Sequence, residues 1–298
     1  MDKMQADFII NGSPITMEEM AMNSPEETKI LIEDVLRIGS VKDSNIVYKM
    51  QDYFTSNPAR KRLVYDVEKK YDNLGQLAKD LKESFGKLQQ EKPSISIPHF
   101  YTQISGFNQS LVVGDSILGI SLDKYMGADY APYKKIFLKS QIQQMEQHRI
   151  VPDCIQLWLE SKFPIPHGPH ASTLDMMIHL GKLNWITSQI VGETYLEGLY
   201  KNINTDKAEW ESNWPTISRT LLTRKNLLAK NDDRVRGFML GKSEKEEASL
   251  HSEHNAELFA GITIVARYMK LHPQYTISNL LDNENSMDIF NGAGYTMK

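Results

Sequence analysis

STLDMMIHLGKLNWITSQ, residues 172–189, is the stretch that decides how the rest of the chain must fold. Leu174, Met177, Ile178, Gly181 and Trp185 recur at the spacing of one face of an α-helix. Asp175, His179 and Lys182 fall at i, i+4 and i+7, so an apolar helix carries a polar line beside its apolar one. Ser172 suits the N-cap, and Asp175 stands three residues on, where an acid favours a helix start. Gly181 costs about 1 kcal/mol against alanine in a helix interior, so its presence predicts another backbone passing close by. This spacing predicts a central helix with the other elements packed around it.

Working outward, residues 1–92 read as helical. Ser24-Pro25-Glu26-Glu27 is a helix start, and the periodicity then runs to Ile38 before Gly39. Further helices are predicted over about Asp43–Phe54, Arg60–Tyr71 and Leu74–Gln90, with Asn57-Pro58 as a break. Residues 93–128 change period. Three short strands are predicted: one through Phe100 to Ile104, one at Leu111–Val113 and one over Ser116–Leu122, with Gly114-Asp115 as a hairpin turn. Residues 129–298 return to helical spacing. Pro132–His148, Asp153–Phe163, Gly192–Tyr200, Asp206–Leu222, Ala256–Leu271 and Ile277–Phe290 are the predicted helical segments, and 225–248 is a charged stretch. The prolines at 164, 166 and 169 make a loop that delivers the chain to the central helix. No linker interrupts these parts, so the expectation is a single domain over 1–298, of class α+β and predominantly α.

The 298 residues carry 34 basic and 38 acidic side chains, a net charge of −4 that leaves no electrostatic footprint for nucleic acid. No run approaches the length of a membrane span, and the first residues have no apolar signal core. The single cysteine, Cys154, excludes an intrachain disulfide and any cysteine-based zinc site, and its apolar neighbours predict an inert buried thiol. Trp210 and Trp214 share a helix face and are expected in the core. Met17, Met20 and Met22 read as core packing more simply than as an adaptable surface.

Three segments in register carry a resemblance. FYTQISGFNQSLVVGDSILGISLDKYMGADYAPY (100–133) resembles the SGF and LDkYLG core of the gliding-motility lipoprotein B family of the Bacteroidetes. LDMMIHLGKLNW (174–185) is similar to that family's GK-containing helix, and ITIVARYMKLHPQYTISNLLDNENSMDIFNGAGY (262–295) to its C-terminal ending. The resemblance implies an exported lipoprotein of the cell envelope, facing the periplasm or cell surface and held at a membrane, the outer membrane in the first instance, only through a lipid anchor that this chain lacks. It implies partners among envelope proteins of a motility or secretion complex. It also implies a zincin-like core, in which the small three-stranded sheet accompanies a central helix carrying a degenerate HExxH position.

A zincin binds Zn²⁺ through two histidines at i and i+4, with a glutamate activating a water. The position that the resemblance suggests reads Ile178-His179-Leu180-Gly181-Lys182. Isoleucine has no donor atom and a lysine is a cation, so neither takes the place of a ligand. The expectation is therefore a pseudoenzyme without a cofactor, using a peptidase-like scaffold for protein interaction; a divergent peptidase or hydrolase with a non-standard metal or a metal-free site is the alternative. The residues to watch for catalysis are His179, Asp175, Lys182 and Glu209, with Lys182 expected to bridge Glu193, Glu197 or Glu209. For a metal they are the pairs His167 with His170 and His251 with His254, which read more simply as surface histidines.

Overall fold

The computed structural model describes residues 1–12, 14–202, 205–230 and 244–297, with the side chains of 14–16, 202 and 244–255 outside that description. It is mostly helical with one small mixed sheet, the α+β, mainly α class expected. The chain groups into two compact units, one of residues 1–83 and 96–157, the other of 84–95 and 158–298.

The first unit opens with α1 (Asp2–Asn11) and α2 (Pro14–Asn23), followed by α3 (Pro25–Lys29), α4 (Ile46–Thr55) and α5 (Pro58–Lys70). Phe8, Met17 and Met20 are buried, but Met22, expected in the core with the other two methionines, is exposed instead. The helix expected to reach Ile38 instead widens into a π-helix over Ile30–Val35. Asn57 does more than break the chain: its side chain caps α5 by accepting from the backbone N–H groups of Ala59 and Arg60, with Pro58 in the first turn. Helix α6 (Gly75–Glu91) runs from the first unit into the residues of the second.

The sheet comprises β1 (His99–Gln103), β2 (Leu111–Val113) and β3 (Ile117–Ser121), in the order β1-β3-β2. β2 and β3 form the expected antiparallel hairpin, while β1 lies parallel to β3. All five β3 residues are buried, which suits a central strand. Straight after β3, Asp123 is fully buried. Its carboxylate accepts from the Ser105 N–H at 2.7 Å, the Ser105 hydroxyl at 3.0 Å and the Phe107 N–H at 2.7 Å. The SGF turn and the LD step, which the sequence offers as separate motifs, are thus one lock. The turn needs it, because Phe107 sits at φ 72°, a conformation that a phenylalanine rarely adopts.

Pro132–His148 is not one helix. It divides into a 3₁₀ turn at Ala131–Lys135, the single turn α7 (Lys139–Ile142) and a second 3₁₀ turn at Gln147–Arg149. The Tyr133 hydroxyl donates to the Asp123 carbonyl and accepts from the Met126 N–H, so tertiary bonds set this backbone more than helix periodicity does. Helix α8 (Ile150–Lys162) follows, with Cys154 fully buried and its thiol pKa pushed up by burial.

In the second unit, α9 (Thr173–Val191) is the predicted central helix, and 14 of its 19 residues are buried, which marks a helix covered on more than one side. Then come α10 (Thr194–Asn202), α11 (Lys207–Leu221), α12 (Arg224–Leu227), α13 (Glu244–Leu271), α14 (Ile277–Asp282) and α15 (Ser286–Gly292). α10, α12, α13, α14 and α15 pack directly on α9, most extensively the long α13. The close approach predicted at Gly181 is there: a Cβ built on Gly181 would overlap the backbone of Gly261 in α13, and one on Gly261 would overlap the Met177 carbonyl. Trp210 joins Tyr200, Phe259 and Ile262 in a satellite core, with Trp214 against it, and its indole donates to the Thr263 hydroxyl at 2.9 Å.

Candidate functional site

The start of α9 is built by its own sequence. The Ser172 hydroxyl accepts from the Asp175 N–H, and the Asp175 carboxylate accepts from the Ser172 N–H at 2.9 Å and from its hydroxyl at 2.7 Å. This reciprocal cap satisfies donors that a helix start leaves open. A short extended segment crosses here, with the Thr173 N–H donating to the Ala229 carbonyl and Ser172 bridging Lys230.

Over this helix start lies a cavity of about 840 Å³. One wall is the proline-rich loop, through His167 and His170; another is Leu228 and Lys230; the third is Glu284 to Met287, with Leu174 and Asp175 of α9 completing the lining. Both signs of charge are present. His167 Nδ1 stands 3.4 Å from the Asp175 carboxylate, and its backbone is left-handed, at φ 64°. Leu228 is 43% exposed, an apolar side chain offered to whatever enters.

The 284–287 wall is held by two buried lysines. Lys92 donates to both carboxylate oxygens of Asp282 at 2.6 Å and to the Ser278 hydroxyl at 3.2 Å. Lys182, only 5% exposed, donates to the Asn283 carbonyl at 2.9 Å. Asn285 then caps α15 by accepting from the Asp288 N–H. Burial lowers the Lys182 pKa to about 8 against the opposing pull of Glu284 and Asp282. One turn back, burial first and the Lys182 charge second lower the His179 imidazole to about 4, so it is neutral at neutral pH.

The expected site residues therefore divide. Asp175 is a capping acid facing His167. Lys182 does not bridge Glu193, Glu197 or Glu209: all three carboxylates are exposed, and the buried ammonium finds the Asn283 carbonyl instead. Glu209 lies in the first turn of α11, accepting from the Thr205 hydroxyl. His167 and His170 line the same cavity, whereas the side chains of His251 and His254 lie outside the described residues. Among the described residues no three His, Cys, Asp or Glu side chains gather into a metal-binding group. Sequence reading missed Lys92 and the 282–287 wall. Their only signal was the clustering of Asp, Asn and Glu in LLDNENS, which reads as a simple turn.

Among the described residues no helix is long and apolar enough to cross a membrane. A family model described as gliding motility protein GldB matches residues 1–297. No curated protein and no solved structure matches the chain.

Proposed function

The chain belongs to the gliding motility protein GldB family, and on that basis we propose that it serves gliding-motility or secretion machinery at the cell envelope by binding a protein partner, without catalysing a reaction. The proposed scaffold is zincin-like, with 178–182 as its degenerate metal position. The observation that carries this reading is the bond from Lys182 to the Asn283 carbonyl. At the place where a peptidase would offer an imidazole to a metal, this chain has a cation, and that cation is engaged in holding a groove wall. Ile178, at the other ligand position, has no donor atom to offer. What remains is a groove with charges of both signs and an exposed leucine, which fits an extended peptide segment of a partner. The alternative reading, a divergent peptidase or hydrolase, draws on the His167–Asp175 pair at the cavity wall.

A photo-crosslinking residue placed at Leu228 in the producing bacterium is expected to yield discrete adducts with envelope proteins. The same residue at Tyr48, an exposed position of α4, is expected not to yield them. Purified chain is expected to leave an unfolded polypeptide intact. Cleavage that a chelator abolishes, or that His167→Ala removes, would establish the hydrolase instead.

A further inference from the structure

We propose that a second cavity, the trough between the start of α6 and the flank of β1, binds the hydrocarbon chain of an anionic amphiphile. The inference does not depend on the function proposed above, because it concerns a different unit and different residues. The trough encloses about 450 Å³, within the range of ligand pockets. One side is Leu74, directly before α6, with Leu77, Ala78 and Leu81 on the first turns of that helix. The other is Ile97, Phe100 and Ile120, with Ile97 42% exposed. An apolar surface of this shape left to water favours an apolar occupant.

The polar groups around the trough decide which occupant. A peptide added as a strand would need main-chain donors and acceptors along β1. Pro98 has no N–H to give. At the other end, Gln5 has already taken Ile104, donating to its carbonyl at 2.7 Å and accepting from its N–H at 2.8 Å. The Thr102 hydroxyl is committed to Asp2. Strand addition is thus obstructed at both ends of the edge strand β1, at Pro98 before it and Ile104 after it, and the trough's apolar lining is made of side chains. No carboxylate lines it; its charged lining is Lys82, and the His99 ring, also in the lining, has Glu27 at 3.7 Å. Lys82 makes no ion pair among the described residues, and it stands at the open rim. An apolar trough with one available ammonium at its edge is complementary to a carboxylate or phosphate carrying an alkyl chain.

The test titrates the full chain with dodecanoate below its micellar concentration, read by calorimetry and by displacement of a fluorescent fatty acid. Saturable one-to-one binding is expected. Ala78→Trp, at an exposed position that fills the trough, is expected to weaken it about tenfold or more, and Lys82→Glu about threefold to tenfold. Circular dichroism checks that both variants keep their helices. Competition by phosphatidylglycerol vesicles would identify the chain of a membrane lipid as the source, and failure to compete a free fatty acid; either supports the proposal. No saturable binding by the unaltered chain, equal binding by both variants, or binding of an apolar peptide in place of dodecanoate would overturn it.

Discussion

Lys182 and His179 stand one turn apart in α9, and both are charged more readily in the unfolded chain than in the folded one. The unfolded lysine holds its proton up to 10.5, the folded one only to about 8. Between those values the unfolded state binds more protons, so stability rises with pH through that window. For His179 the window is 6.5 down to about 4: its stabilisation is complete above 6.5 and is lost as the pH falls. Each contributes a slope of at most about 1.4 kcal/mol per pH unit. Urea titrations at a series of pH values are expected to show both slopes. Lys182→Met is expected to reduce the alkaline one, to which Lys124, also lowered by burial, contributes, and His179→Gln to change the acid one, over which the buried Asp123 and Asp153 also titrate. A Lys182→Met variant with an undiminished alkaline slope would mean that the slope does not come from Lys182. The sequence placed both residues on one line of a helix, but it held no sign of Asn283, because a main-chain carbonyl 101 residues away leaves no trace in residue type.

At the scale of elements, the α9–α13 crossing is the contact most legible beforehand. A glycine in an otherwise good helix is a local defect, and the defect is explained by Gly261 opposite it. Gly261→Ala is expected to destabilise by about 2 kcal/mol, since the overlap with the Met177 carbonyl outweighs the gain in helix propensity. Gly86→Ala, in the interior of α6 where a new Cβ meets nothing within 4 Å, is expected to stabilise by about 0.5 to 1 kcal/mol. Opposite signs for these two variants in chemical denaturation are the check; equal effects would remove the packing argument. Periodicity failed where long-range polar bonds overrule it. Residues 132–148 have helical spacing, yet the Tyr133 hydroxyl ties them to Asp123 and Met126. Asp123 itself was missed as a lock, although an acid two residues after a buried strand, in ILGISLD, is the pattern to look for.

At the scale of the molecule, the mixed α+β class, the hairpin and the family were legible, because each rests on several segments agreeing in order. The lining of the groove over the start of α9 was not legible, because it is assembled from three separate stretches. The net charge of −4 has a direct consequence: the chain is expected to pass through a heparin or DNA column at physiological salt, and retention there would contradict the exclusion of nucleic acid.

The glycine crossing also has a consequence for synthesis. α9 ends at Val191 and α13 at Leu271, so 271 − 191 = 80 residues must be made before the partner of Gly181 is complete. At 5–20 residues per second a ribosome needs about 4 to 16 s for that span. During this interval the face of α9 that α13 covers in the finished chain still awaits its partner helix.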